Sequence, residues 1–252
     1  MNAPTARISC DVLITAAVVV TQNDARAVLR DAALAITGGV ITAIGPRAEL
    51  AARYTPAENI ALPEAMLLPG LVNTHTHAAM TLFRGLCDDA PLSVWLSEHI
   101  WPAEAKLTPE AVRLGTQLAC AEMLASGTTC FLDAYLFVDA VADAVKDAGL
   151  RAVLSQGVFD IENAGFKTSD AALASAAALA DRLAGEALLR PAIFPHAVYT
   201  CRQSTLERCA AFAKERGTLL STHAAETARE NDNCLAANGK RVIPYLHALG
   251  LL

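Results

Sequence analysis

From residue 66 onward, short apolar runs alternate with longer segments in which apolar residues recur every three or four positions. The longer segments have the period of amphipathic helices, and the short runs have the length of buried strands. Strands that alternate with helices indicate a parallel sheet joined by right-handed crossovers. Open doubly wound sheets and closed barrels share this pattern, so the pattern alone does not choose between them. The strands are predicted at 66–77, 128–133, 151–158, 191–197 and 218–223.

Residues 8–62 have shorter apolar runs that are separated by turn residues. The pair Gly38 and Gly39 predicts a hairpin turn between two of these runs. This segment is therefore expected to form a small β unit ahead of the alternating pattern. We place the domain boundary accordingly, with an N-terminal β portion at 1–65 and the α/β unit at 66–252.

Capping residues delimit two of the predicted helices. Thr108 followed by Pro109 predicts a helix start, because proline favours the first helical position. Ser204 and Glu207 have the spacing of a capping box. They predict the start of a later helix, which should end at Gly217 because glycine is common just beyond a helix C-terminus.

Composition narrows the class of protein. Apolar residues make up 54% of the 252 residues, which is enough for one large core. The net charge of −6 and the lack of a basic cluster argue against a nucleic-acid partner, and no apolar run has membrane-spanning length. The apolar stretch from Val12 to Val20 is typical of a strand rather than of a secretory leader. Seven cysteines without Cys-x-x-Cys spacing indicate reduced thiols and a cytoplasmic location.

The candidate chemistry lies where the predicted strands end. His75 and His77 are two residues apart on an extended strand, so their side chains point to the same side. His196 ends the fourth predicted strand and His223 ends the fifth. Side chains at the carboxyl ends of barrel strands meet on one face, where converging imidazoles are typical ligands of a divalent metal. A single histidine there could equally be a hydrogen-bonded core residue, and for Asp133, which also ends a strand, we expect a structural role.

The segment from Pro69 to Thr81 contains two of these histidines and closely resembles the first barrel strand of the amidohydrolase superfamily. Within the superfamily, the resemblance is to the branch that holds S-adenosylhomocysteine and methylthioadenosine deaminases, beside chlorohydrolases and guanine deaminases. It is specific at 68–85 and 222–227 and looser elsewhere from Asp11 onward. The resemblance implies an α/β fold, a (β/α)8 TIM-type barrel of the metal-dependent hydrolase type with a small N-terminal β-sandwich portion.

The resemblance implies a mononuclear metal site whose ligands include His75, His77 and His223. His196 stands where binuclear relatives carry a carbamylated lysine, and it should face the substrate instead of the metal. The expected cofactor is one divalent metal ion, with zinc as the first candidate and Fe²⁺ as the alternative. Since five of the eight barrel strands are found in the sequence, the resemblance also implies a barrel truncated after about five βα units, without the C-terminal catalytic residues.

Two carboxylates are expected beside the metal. Glu226 lies in a His-x-x-Glu motif that begins at His223 and that marks the deaminase and chlorohydrolase groups. Its carboxyl group would be the catalytic proton shuttle and would contact the substrate, and a carboxylate that stabilises a helix N-terminus is the alternative. Residues 78–107 are expected to form a long lid loop. In that loop Glu104 matches the glutamate that binds nucleoside ribose hydroxyls, with a solvated acidic residue as the alternative.

The function that the resemblance implies is hydrolytic deamination of an adenosine derivative to the inosine form, with release of ammonia. The substrate would be S-adenosylhomocysteine, methylthioadenosine or adenosine. A chlorohydrolase or a guanine or 8-oxoguanine-type base deaminase is the alternative. Glu104 discriminates between the two, because those substrates lack the ribose that it would bind. An inactive metal-binding fragment is a third interpretation. Gln156 and Lys167 stand where such nucleoside deaminases often carry arginine, so the chemical nature of the substrate's distal group stays open. The oligomeric state also stays open, and a homo-oligomer is one of the options.

Overall fold

A four-stranded sheet comes first along the chain in the computed structural model, which describes residues 6–252. Its strands are β1 (Ile8–Val20), β2 (Val28–Thr37), β3 (Val40–Pro46) and β4 (Tyr54–Leu67). They lie in the order β3-β2-β1-β4, with β1 antiparallel to β2 and parallel to β4. Pro56 and Pro63 are in β4, at the edge of this sheet, where the missing amide hydrogen of proline is tolerated. The N-terminal portion is therefore β-rich, as predicted.

The predicted hairpin turn joins β2 to β3. Gly38 and Gly39 both have positive φ angles, 59° and 75°, which residues with a side chain rarely adopt. The helix α1 (Arg47–Arg53) then packs Leu50 against the sheet, in one cluster with Leu13 and Tyr54. Burial of each such side chain stabilises the unit by about 1.5–3 kcal/mol.

A parallel sheet of five strands organises the second part of the chain. The strands are β5 (Leu71–Thr76), β6 (Thr128–Tyr135), β7 (Arg151–Val158), β8 (Leu189–Pro195) and β9 (Leu219–Leu220). They lie side by side in chain order, and every neighbouring pair is parallel. This α/β succession is the one that the alternating pattern predicted.

Two strand boundaries differ from the prediction. The strand expected over 66–77 begins at Leu71, because the chain through Leu67 pairs with β1 in the N-terminal sheet. The strand expected over 218–223 is reduced to β9, so His223 follows a strand end instead of lying in the strand. The chain divides into two compact units, and the division lies after Gly70. The boundary predicted from the sequence lies after residue 65.

The segment 78–107 is largely helical, and the expectation of a long loop is wrong. Leu96 and Ile100 are buried, and their spacing of four residues is that of one helix face. The segment contains a 3₁₀ helix (Ala78–Phe83), α2 (Leu92–Val94), a π-helical turn (Trp95–Ile100) and α3 (Trp101–Glu104).

The remaining helices connect the parallel strands and follow the last of them. They are α4 (Pro109–Ala125), α5 (Val138–Ala148), α6 (Ser169–Arg182), α7 (Gln203–Arg216), α8 (Ala228–Asn238) and α9 (Val242–Ala248). Val112, Phe131 and Leu154 are completely buried in the core that helices and sheet share. Within residues 6–252, the helices are too short or too polar to cross a membrane.

One predicted helix cap is present and the other is not. Thr108 caps α4, since its hydroxyl oxygen accepts from the backbone nitrogen of Ala111 at 3.2 Å. The capping box at Ser204 is wrong, because α7 begins one residue earlier, at Gln203. Asp160, which follows β7, takes the place of the capping box: its Oδ2 accepts from the backbone nitrogen of Arg202 at 2.6 Å.

Candidate metal and substrate site

The end of β5 brings two histidines together. His75 is the fifth residue of the strand and His77 follows its last residue, with ring centroids 5.0 Å apart. His77 Nδ1 lies 2.6 Å from the carbonyl oxygen of Ala134 at the end of β6. Because a carbonyl only accepts, Nδ1 carries the proton and donates it, so Nε2 keeps its lone pair for a ligand.

The third histidine comes from the other edge of the parallel sheet. His223 follows β9, and its backbone nitrogen donates to the carbonyl oxygen of His196 at 2.9 Å. Its Nε2 lies 3.2 Å from Nε2 of His77. One ring nitrogen from each of His75, His77 and His223 lies within 4.8 Å of the others, which is the arrangement of a metal-binding group. The structure thus brings together the three side chains that were expected to share a site.

The charge state of the three rings suits a metal ion. Burial lowers the pKa of His75 and His77, and it lowers the pKa of His223 to about 4, so all three are neutral near pH 7. Neutral imidazole is the form that coordinates metals. Nδ1 of His223 is buried without a hydrogen-bond partner among residues 6–252, and two facing Nε2 atoms cannot both be protonated without a clash. Three neutral nitrogen donors at one point therefore fit a divalent ion such as zinc.

His196 lies next to this group without joining it. Its Nδ1 is 2.8 Å from the hydroxyl oxygen of Thr200, and its ring stacks on Phe159 with centroids 4.6 Å apart. Burial, followed by the charges of His223 and His77, lowers its pKa to about 3. A neutral ring held in this way can present its remaining nitrogen to a bound molecule.

A cavity of about 250 Å³ opens in front of the histidines. All six side chains that the sequence singled out line it: His75, His77, Glu104, His196, His223 and Glu226. Six aromatic side chains form much of the remaining wall: Trp95, Trp101, Tyr135, Phe159, Phe194 and Tyr199. An aromatic wall with a few converging polar groups is typical of a site for a small, flat, partly apolar molecule.

Glu104 reaches the cavity from the end of α3. Its Oε1 accepts a hydrogen bond of 2.8 Å from the hydroxyl group of Tyr135, at the end of β6. Burial raises the pKa of Glu104, and the hydrogen bond from Tyr135 opposes that rise. Burial also raises the pKa of Tyr135, so its phenol stays protonated and donates. The carboxylate is thereby held in one orientation.

Glu226 reaches the cavity from the turn between β9 and α8. Its Oε2 accepts from the hydroxyl group of Tyr199 at 3.0 Å, and its backbone nitrogen donates to Oε2 of Glu230 at 2.7 Å. Ala225 has a φ of 58°, a left-handed conformation that costs a residue with a side chain about 1–2 kcal/mol. This turn directs Glu226 toward the cavity that His223 also lines. Thr227 caps α8, so Glu226 lies just before a helix N-terminus and the helix-dipole alternative stands beside catalysis.

Sequence reasoning did not find the aromatic partners of the two carboxylates. Tyr135 is two residues beyond Asp133 on β6, and Tyr199 follows the end of β8, so a strand-end criterion applied to tyrosines would have selected both. Phe194 is in β8, and its ring centroid lies 6.0 Å from that of His196, which follows the strand. Gln156 is buried and donates to the carbonyl oxygen of Gly157 at 2.9 Å, so it does not line the cavity.

Comparison with known proteins gives a family profile that covers most of the chain. The profile of the amidohydrolase family matches residues 66–251, and that of the bacterial imidazolonepropionase-like composite domain matches residues 32–57. A 5-methylthioadenosine/S-adenosylhomocysteine deaminase of Nitratidesulfovibrio vulgaris (strain Miyazaki F) is 45% identical over 243 residues, which are 96% of this chain and 55% of that protein. The corresponding deaminase of Thermodesulfovibrio yellowstonii is 43% identical over 246 residues, 95% of this chain and 55% of that protein.

Solved structures give the same picture. An adenosine deaminase from Xanthomonas campestris with bound zinc is 40% identical and superposes with a TM-score of 0.94, over 98% of this chain and 56% of that one. An atrazine chlorohydrolase from Arthrobacter aurescens TC1, complexed with zinc, has a TM-score of 0.85 at 21% identity over 95% of this chain and 58% of that one, which shows the fold alone. These likenesses confirm the predicted fold class, an α/β barrel of the metal-dependent hydrolase type. The chain spans about half the length of the curated relatives it matches.

Proposed function

The chain belongs to the amidohydrolase family, and on that premise we propose that it carries the metal and nucleoside sites of a hydrolytic deaminase of adenosine derivatives. The reaction replaces the amino group of the purine by oxygen from water, giving the inosine form and ammonia. The substrate would be methylthioadenosine, S-adenosylhomocysteine or adenosine itself. The observation that carries the proposal is the convergence of three neutral histidines and two carboxylates on one aromatic cavity.

His75, His77 and His223 would hold one divalent ion, zinc in the first place and Fe²⁺ as the alternative. Zinc is the ion bound in the 40% identical adenosine deaminase, which supports this choice. A zinc ion there would supply Lewis-acid activation of water near neutral pH. The carbonyl oxygen of Ala134 accepts a hydrogen bond from Nδ1 of His77, which fixes the ring and raises its basicity as a ligand.

Glu226 would move the protons of the reaction. Tyr199 donates to one of its oxygens, so the carboxylate is oriented while the other oxygen remains available to water and substrate. The carboxylate would take a proton from the attacking water and pass it to the purine ring nitrogen, and a second proton would leave with ammonia. Proton transfer by a positioned side chain of this kind contributes about 10²–10⁴-fold to the rate.

Glu104 and His196 would bind the substrate. The carboxylate of Glu104 can accept hydrogen bonds from both hydroxyl groups of a ribose, and Tyr135 holds it ready to do so. His196 would face the purine beside Phe159, on which its own ring stacks. The two groups lie in one cavity with the three histidines, as a nucleoside with its base near the metal requires.

The setting of the reaction follows from the same observations. We propose a small-molecule substrate, no nucleic-acid or membrane partner, and a cytoplasmic location, which the seven free cysteine thiols support. A homo-oligomer is one option within the proposal, and light scattering at several protein concentrations tests it.

Direct binding and ammonia release test the proposed function together. Zinc-loaded protein should bind methylthioadenosine and adenosine in calorimetry and bind adenine at least about tenfold more weakly, because the base lacks the ribose. Ammonia release is expected from a chain that spans the full length of the curated relatives. Binding of no adenosine derivative, or equal binding of adenine and adenosine, would contradict a nucleoside site and favour the base-deaminase or chlorohydrolase alternative. Nucleoside binding without ammonia release would favour the alternative of an inactive metal-binding chain.

A further inference from the structure

Asp133 is a buried carboxylate that the proposed reaction does not use. It lies in β6, is 1% exposed, and faces Thr76 of β5 in the sheet register. Its Oδ1 accepts from the hydroxyl group of Thr76 at 2.9 Å and from the backbone nitrogen of Ala78 at 2.6 Å. These two donors belong to the residues immediately before and after His77, so one oxygen atom clamps the backbone on both sides of this histidine.

The residues beside Asp133 hold the same turn. The hydroxyl oxygen of Thr76 also lies 2.8 Å from the carbonyl oxygen of Leu132, so this carbonyl and Asp133 share its one proton. The carbonyl oxygen of Ala134 lies 2.6 Å from Nδ1 of His77. The β5–β6 register shifts between Asn73 and Thr76, so the regular backbone ladder does not fix the position of the histidines. The position of His77 is instead fixed by hydrogen bonds that involve the side chains of Thr76, His77 and Asp133, at the point where β5 leaves the sheet.

Burying this carboxylate is costly. Its Oδ2 is buried and has no hydrogen-bond partner among residues 6–252. A buried ion of this kind costs several kcal/mol unless a charge or a full set of donors compensates it. The residues that Asp133 contacts, Thr76 and Ala78, flank the candidate ligand His77. A divalent ion on His75, His77 and His223, all neutral donors, would be a compensating positive charge on that side.

We propose that Asp133 is a positioning residue of the metal site, whose carboxylate clamps the turn that carries His77 and places a negative charge behind the three neutral ligands. The inference rests on the proposed metal site. Residues that orient metal ligands without touching the ion typically change metal affinity about 10–100-fold when they are replaced. Asp133 would act in this way through Thr76 and Ala78, beside the direct contact that Ala134 makes with the ring of His77.

Zinc affinity in matched aspartate variants tests the proposal. Asp133→Asn keeps an acceptor oxygen but removes the charge, and it should raise the zinc Kd about tenfold; Asp133→Ala removes both, and it should raise the Kd by about 100-fold. Asp160→Asn and Asp160→Ala are the controls. Asp160 follows β7 and accepts hydrogen bonds from the backbone of Arg202 and from the hydroxyl groups of Ser169 and Thr205, and it forms no hydrogen bond with the three histidines. The Kd is measured by competition with a chromophoric chelator and referred to the folded fraction found by circular dichroism.

A second readout separates ligand positioning from general loss of stability. The visible absorption of Co²⁺ bound in place of zinc reports ligand geometry, and it should change in the Asp133 variants and stay unchanged in the Asp160 variants. Wild-type zinc affinity in Asp133→Ala, or equal losses in the Asp160 variants, would overturn the proposal. If Asp133→Ala does not fold, Asp133→Asn and Thr76→Val decide, since Thr76→Val removes only the hydroxyl donor and should raise the Kd by about threefold. Absence of zinc binding in the wild-type protein would instead overturn the metal site itself, and with it this inference.

Discussion

Replacing Tyr135 by phenylalanine removes one hydroxyl group from the candidate site and leaves in place the aromatic ring that lines the cavity. That hydroxyl group donates the 2.8 Å hydrogen bond to Oε1 of Glu104. In Tyr135→Phe the carboxylate loses the donor that orients it, while the three histidines and Glu226 keep all their hydrogen bonds. The variant therefore isolates the orientation of Glu104 from the rest of the site.

The magnitude follows from the kind of bond that is lost. Hydrogen bonds to charged groups contribute about 1.5–3 kcal/mol, and about 1.4 kcal/mol corresponds to a factor of ten in affinity. If the bond preorganises Glu104 for the ribose, the nucleoside Kd should rise at least about tenfold in Tyr135→Phe. The bond also opposes the rise of the Glu104 pKa that burial causes. Nucleoside binding should therefore weaken most at the acidic end of the pH range, where Glu104 takes up a proton.

Calorimetry with adenosine and adenine on the zinc-loaded protein measures the effect. Adenine has no ribose, so its Kd should change less than twofold in Tyr135→Phe, which corresponds to about 0.4 kcal/mol. Tyr245→Phe is the matched control, because Tyr245 is a buried tyrosine of α9 that belongs to a separate cluster. In Glu104→Gln the Tyr135→Phe change should have little further effect, since both changes remove the same interaction. Equal losses of adenosine and adenine affinity, or none, would refute the reasoning.

Three further predictions concern the metal, the proton shuttle and pH. His223→Ala should lower the zinc content from one ion per chain toward none, as atomic absorption on the dialysed protein would show; full zinc content would contradict the ligand set. Glu226→Gln should keep zinc and nucleoside binding and lower ammonia release by about 10²–10⁴-fold, and equal release in the variant would remove Glu226 from catalysis. The zinc-free protein should lose stability as pH falls from about 6.5, because His196, with a pKa of about 3 in the folded state, takes up a proton more readily when unfolded. The slope from that histidine is at most about 1.4 kcal/mol per pH unit in denaturant titrations, and a profile that is equally steep in His196→Asn would contradict this assignment.

The parallel sheet could be predicted because its strands are apolar on both faces and bounded by turn residues. β7 lies at the predicted residues, since it is central in the sheet and is apolar apart from Arg151, Ser155 and Gln156. β9 could not be predicted at its true length, because within residues 6–252 it pairs with β8 alone, and pairing rather than composition sets where it ends. The helices of 78–107 were missed because short helices that bury Leu96 and Ile100 have too few turns to give a clear period.

The candidate site shows the same division between local and long-range signals. The spacing of His75 and His77 is a local property of a strand and was sufficient to predict that both rings face one point. The rule that parallel strands end at one edge placed both His196 and His223 near them, and the family resemblance selected His223 as the third ligand. The hydrogen bonds from Tyr135 to Glu104 and from Tyr199 to Glu226 join residues 31 and 27 positions apart, and the path of the intervening helices and turns decides them. No spacing in the sequence encodes such a pair.

The position of zinc in a crystal of the loaded protein tests the central claim most directly. Anomalous diffraction at the zinc edge should give one strong peak, about 2.0–2.1 Å from a ring nitrogen of each of His75, His77 and His223, with His77 binding through Nε2. The bond from His77 Nδ1 to the carbonyl oxygen of Ala134 should persist. A peak elsewhere in the protein, or one that lacks His223 as a ligand, would contradict the account.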